Sequence, residues 1–89
     1  MYILLCGDNT FYVGSTWDLD ARIESHASGA GSEYTRRRRP VRLVYCEEYT
    51  RVEDAFRREK QVQGWSRAKR QALIDGDIER LKRSAASSP

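Results

Sequence analysis

A small α/β (α+β) domain, a three-stranded antiparallel sheet flanked by helices, is predicted by three observations on the chain. Tyr2–Cys6 and Phe11–Gly14 are short apolar runs separated by Gly7, Asp8, Asn9 and Thr10, residues that tolerate the backbone angles of a reversal, so they read as a hairpin. The run VRLVYCEEY alternates Val41, Leu43 and Tyr45 with Arg42, Val44 and Cys46 and is rich in β-branched and aromatic residues, which supplies a third strand. Between and after these strands lie segments with helical periodicity and helix-capping residues.

The first helix follows the hairpin. Asp18 is placed to cap its first turn and Asp20 suits the positive end of its dipole, while Leu19, Ile23 and Ala27 recur as an apolar stripe. Arg22 and His26 border that stripe. Four residues apart, they are neighbours on one helical face, turned toward whatever the stripe packs on, which should be the hairpin. Tyr2 and Tyr12 share a hairpin face only if the loop holds an odd number of residues, because side chains alternate along a strand. The sequence leaves both registers open.

The glycines of SGAGSE end this helix near Ala27 or Ser28. Tyr34, Thr35 and the run Arg36, Arg37, Arg38 and Arg39 then form a loop, and Pro40 favours an extended entry into the third strand. Thr50 and Glu53 make a capping box that opens a helix from Arg51, closed by Gly64. Val52, Ala55, Phe56 and Val62 form its apolar face, and Glu59 falls inside that stripe. A carboxylate aimed at the core side needs a partner, either a neighbouring arginine or a cation. Ser66 is placed to cap a further helix through Ile74, Gly76 breaks it, and Ile78 and Leu81 face inward in a last turn. The expected domain spans residues 1–83, and SAASSP, residues 84–89, reads as a flexible tail.

Composition narrows the function classes. Eighty-nine residues make one small core, and 39% hydrophobic with 33% charged residues is the balance of an ordinary soluble protein. No apolar run approaches the roughly 20 residues needed to cross a bilayer, and the N-terminus lacks a signal-peptide pattern, so a cytoplasmic protein without membrane partners is expected. Cys6 and Cys46 read as buried thiols, and with a single histidine they cannot complete a four-ligand zinc site. The net charge of +3 is modest, but its distribution is not: Arg36 to Arg39 and Arg42 lie in a stretch without an acid. An aromatic residue beside four arginines suits a single strand or splayed duplex, by stacking and phosphate contact.

With Tyr2 near the start of one strand, Tyr12, Val13 and Gly14 in the next, and Thr16, Arg22 and His26 at these intervals, the chain resembles the GIY-YIG nuclease family, and most of all its small single-domain bacterial members. The likeness extends from Tyr2 to about Ile74, with Met1 where the first motif has Gly and Val13 where the second has Ile. The resemblance implies that Glu59 binds a single divalent ion, Mg²⁺ or Mn²⁺, and that Tyr2 is the first-motif tyrosine, usually proposed as general base. It implies that Tyr12 orients water or phosphate. Arg22 would contact the scissile phosphate through its planar fork, and His26 would relay a proton or hold the nucleophilic water. Gly14 allows close approach of substrate backbone or helix, and Thr16 assists the turn into the helix. Tyr34, Thr35 and Arg36 to Arg39 would contact nucleic acid. Where other members carry an asparagine or a lysine beyond the metal-binding glutamate, this chain offers Gln63 and Gln71. The expected activity is metal-dependent endonucleolytic hydrolysis of DNA, single-stranded or structured, in repair, recombination or processing. The competing expectation is a catalytically weak nucleic-acid-binding module, or a nuclease subunit activated by a protein partner.

Overall fold

The computed structural model describes residues 1–86. Strands β1 (Tyr2–Cys6), β2 (Phe11–Gly14) and β3 (Val41–Cys46) form one antiparallel sheet in the order β2-β1-β3. Helices α1 (Leu19–Ser28), α2 (Glu33–Arg36), α3 (Val52–Gln63), α4 (Arg67–Asp75) and α5 (Ile78–Ala86) flank it. This is the expected α/β architecture. None of these helices is long and apolar enough to cross a membrane. The first part of the expected tail is helical as far as Ala86, and residues 87–89 lie outside the described residues.

The hairpin loop decides which residues share a face. The Cys6 amide donates to Thr10 O (2.8 Å) and the Asn9 amide to Cys6 O (2.9 Å), so Gly7, Asp8 and Asn9 form a three-residue turn. Asn9 takes a left-handed backbone (φ 68°), which asparagine tolerates better than most residues. An odd loop puts Tyr2, Leu4, Tyr12 and Gly14 on one face, with Tyr2 opposite Gly14 and Leu4 opposite Tyr12. Ile3, Leu5, Phe11 and Val13 point the other way.

That second face carries the core. Ile3 and Val62 are completely buried with Met1, Phe11, Val13 and Leu73, and Trp65, Ile74 and Leu81 pack on this cluster. Each large aliphatic side chain so buried stabilises the fold by about 1.5–3 kcal/mol. The α3 helix is fixed to β3 as well: the Glu47 carboxylate accepts from Tyr45 (2.6 Å), Tyr49 (2.7 Å) and Arg58 (2.9 Å). Burial works against this carboxylate's ionisation, but the three donors outweigh it and hold Glu47 below its ordinary range.

Several expectations are corrected. Ala27 is exposed, and α1 turns Leu19, Arg22, Ile23 and His26 inward, because its polar members find partners on the tyrosine face. The Thr50–Glu53 capping box does not form: the N-cap of α3 is Arg51, without a side-chain cap. Val52 and Phe56 are exposed, since only Ala55 and Val62 of that face meet the core. Ile78 is exposed and only Leu81 turns inward. Cys6 is buried as expected, but Cys46 ends a strand and is exposed. Asp18 and Ser66 do cap their helices, accepting from the amides of Ala21 (3.1 Å) and Lys69 (3.2 Å).

Candidate active site

The tyrosine face of the hairpin is covered by α1, and a buried chain of hydrogen bonds joins them. The Tyr2 hydroxyl lies 2.8 Å from His26 Nε2, and His26 Nδ1 lies 2.7 Å from Thr35 Oγ1. Tyr2, His26 and Thr35 are 0–1% exposed, so each polar atom depends on the next. Tyr12 meets the imidazole edge-on with ring centroids 5.0 Å apart. Arg22 lies against both phenols, and its Nη2 donates to Gly31 O (3.2 Å).

Burial sets the protonation states. It raises the Tyr2 phenol above its ordinary value of 10, with Arg22 pulling the other way and losing. Burial also lowers His26 below 6.5, and the charge of Arg22 adds to that. The pair at neutral pH is therefore a protonated phenol beside a neutral imidazole.

Two glycines admit the two rings. A Cβ on Gly14 would stand 2.6 Å from Tyr2 Cζ, and one on Gly31 would stand 2.6 Å from His26 Cγ. The close approach at Gly14 is thus made by the ring of Tyr2. Gly31 had no signal in the sequence beyond its place in a Gly/Ser-rich connection.

Glu59 approaches from α3 around the edge strand β2. Ser15, next after Gly14, donates to Glu59 Oε1 (2.6 Å), and Gln63 Nε2 donates to both Glu59 Oε2 (2.9 Å) and Val13 O (3.0 Å). Lys60 Nζ is 3.4 Å from Glu59 Oε2, and the glutamate side chain is 12% exposed. The sequence had placed Gln63 near the site; Ser15 was not anticipated. Among the described residues no group of three or more His, Cys, Asp or Glu could hold a metal ion. What Glu59 and Ser15 offer is a hard-oxygen corner, which suits an ion that keeps several waters and takes other ligands from substrate phosphate.

The predicted nucleic-acid residues divide. Thr35, expected on the surface, is buried because Ser32 caps the single turn α2 and rotates Thr35 inward onto His26. Tyr34 is 37% exposed, with Tyr12 toward one side (centroids 6.0 Å) and the Arg38 guanidinium 3.8 Å over its ring. Arg36 and Arg37 share Glu33, Arg38 pairs with Asp8 (2.9 Å), and Arg39 donates to Arg36 O (3.3 Å). Thr16 accepts from the Asp18 amide (3.2 Å) and shapes the turn into α1. It also borders a cleft of about 590 Å³ between the starts of α1 and α3 and the end of β3. Asp18, Asp20, Glu47 and Glu48 make that cleft acidic, and Trp17 at its rim is 86% exposed.

A three-stranded sheet whose edge hairpin presents two tyrosines to a helical Arg22–His26 pair, with a glutamate at its flank, defines a class of nuclease domain. Residues 1–72 match the GIY-YIG catalytic domain, and the chain belongs to that family, whose domain implies nuclease activity with DNA as substrate. It is similar to UPF0213 proteins of two staphylococci. The one from Staphylococcus haemolyticus is 41% identical over 75 residues, covering 84% of this chain and 92% of that protein. The one from Staphylococcus aureus is 42% identical over 74 residues, covering 83% and 90%. The solution NMR structure of the UPF0213 protein BH0048 from Bacillus halodurans superposes with a TM-score of 0.56 at 40% identity, over 98% of this chain and 93% of that one.

Proposed function

We propose that this protein is a divalent-metal-dependent endonuclease that hydrolyses DNA phosphodiester bonds, leaving a 5′ phosphate and a 3′ hydroxyl. The observation that carries this reading is the 2.8 Å contact between the Tyr2 hydroxyl and a neutral, buried His26. A phenol held in its protonated form is a poor resident base. It works instead as a relay: once the bound substrate brings the attacking water to its hydroxyl, Tyr2 accepts that water's proton as its own passes to His26 Nε2, with the phosphate offsetting the charge of Arg22. The water oxygen bonds to phosphorus, the P–O3′ bond breaks, and the departing oxygen takes up a proton from solvent.

Arg22 has guanidinium donors beyond the one engaged by Gly31 and binds the scissile phosphate, offsetting charge that grows in the transition state. Tyr12 stands beside Tyr2 and Arg22 and orients water or phosphate. Glu59, steered by Ser15 and Gln63, is the residue to hold Mg²⁺ or Mn²⁺. When bound, the ion stabilises charge on the phosphate and the leaving oxygen.

The charge layout supports a direction for the substrate. Four carboxylates keep a polyanion out of the cleft at Trp17, whereas the arginine turn after α2 flanks the same tyrosine face. Because Arg36, Arg37 and Arg38 are already paired, phosphates compete with Glu33 and Asp8 for them, and binding weakens steeply with salt. Specificity then comes from DNA structure, single-stranded or branched, which fits a role in repair, recombination or processing.

Cleavage of end-labelled single-stranded, duplex and branched DNA, with Mg²⁺, Mn²⁺ or chelator, tests this against Glu59→Ala. The expected result is metal-dependent nicking lost in the variant while binding persists. Binding without cleavage by either protein, on every substrate, would leave a nucleic-acid-binding module in place of the enzyme.

A further inference from the structure

We propose that Thr35, held by Ser32, is a positioning residue: it fixes His26 as the Nδ1–H tautomer and so turns the Nε2 lone pair to the Tyr2 hydroxyl. The catalytic part of this inference rests on the nuclease reading, but the tautomer itself does not.

The Thr35 hydroxyl has one proton and two lone pairs, and three groups surround it: His26 Nδ1 at 2.7 Å, Ser32 Oγ at 3.0 Å and Ser32 O at 3.3 Å. Ser32 O is an acceptor only, and we assign the Thr35 proton to it, beside the Arg36 amide that it also accepts (2.9 Å). Ser32 Oγ accepts from the Thr35 amide (3.2 Å) as the cap of α2, and its own proton is free to point at Thr35 Oγ1. The lone pair that remains on Thr35 Oγ1 faces Nδ1. With that assignment Nδ1 carries the proton.

A neutral imidazole has one N–H. With it on Nδ1, Nε2 is bare and accepts from the Tyr2 hydroxyl 2.8 Å away. Thr35 and Tyr2 hold the two nitrogens of one fully buried ring, so rotating the ring by 180° would break both contacts. Gly31 makes the placement possible, since a side chain there would meet the imidazole.

His26 is the chain's one histidine, so ¹⁵N-detected NMR of the imidazole reads its tautomer without ambiguity. The expected result is an Nδ1–H imidazole in the unaltered protein and in Thr35→Ser, which keeps the hydroxyl. In Thr35→Val, which keeps the volume and loses the hydroxyl, the signal should move toward the other tautomer or a mixture. Cleavage by Thr35→Val should fall about 10- to 100-fold, with rescue in Thr35→Ser. An Nε2–H imidazole in the unaltered protein overturns the proposal by itself, whether or not Thr35→Val folds. An unchanged tautomer in a folded Thr35→Val overturns it too. If the tautomer behaves as expected and no variant cuts DNA, the nuclease reading fails and the role of Thr35 on His26 stands.

Discussion

The two flanks of the site differ in how they treat water. On one, Tyr2, His26 and Thr35 are sealed from solvent, and every hydrogen bond is made within the protein. On the other, Glu59 stays 12% exposed beside β2, with Ser15, Gln63 and Lys60 on its two oxygens. The dry flank must be finished before substrate arrives, because an unpaired polar atom there would be costly. The open flank is completed from outside. In the proposed mechanism, proton transfer would therefore be tied to folding stability, and metal capture would not.

The sharpest way to break this comparison is to remove one group from each flank. His26→Ala orphans the Tyr2 hydroxyl, takes one of the partners of Thr35 and leaves a cavity, and should cost roughly 3 kcal/mol of stability. Glu59→Gln keeps shape and hydrogen bonding and should change stability by less than about 1 kcal/mol while abolishing metal-dependent cleavage. Urea denaturation of the two variants checks this; equal losses would mean the flanks are not different in kind.

A smaller blow to the dry flank is Gly31→Ala. The added methyl displaces the His26 ring, with an expected loss of about 1–3 kcal/mol and reduced cleavage. A thermal melt together with the ¹⁵N spectrum of the imidazole separates displacement from unfolding.

The pH dependence sharpens the picture further. The folded protein holds His26 below 6.5, by burial first and then by Arg22; its hydrogen-bond partners are the hydroxyls of Tyr2 and Thr35. As pH falls through 6.5 the unfolded chain takes a proton that the folded chain refuses, so stability declines below neutrality and levels off under the folded-state value. Unfolding midpoints between about pH 7.5 and 5.5 should show this slope, and His26→Gln should flatten it. The smallest effect belongs to the surface. Arg37→Ala should leave the melting temperature unchanged and lower the salt dependence of DNA binding by about one unit of log–log slope.

Much of this was legible because it follows from spacing. Arg22 and His26 four apart had to share a helical face, and a carboxylate at position 59 had to be directed inward. The register of the tyrosines was not legible, since whether GDNT closes as an odd or even loop turns on the left-handed Asn9 and the Cys6–Thr10 bond. Thr35 was misplaced because its neighbours are arginines, and composition drew the whole segment to the surface. The missed signal was Ser32, whose cap winds four residues into a turn and so sends one of them inside. The apolar stripe of α1 misled in the opposite sense, as buried polar groups with partners displaced Ala27.

That one turn has an outside and an inside. Tyr34, Arg36 and the arginines beyond it face the solvent, while Thr35 between them grips the imidazole. In mechanical terms α2 is a lever without a hinge: four residues are too short to flex between the hand that holds arginines out to solvent and the finger that holds His26.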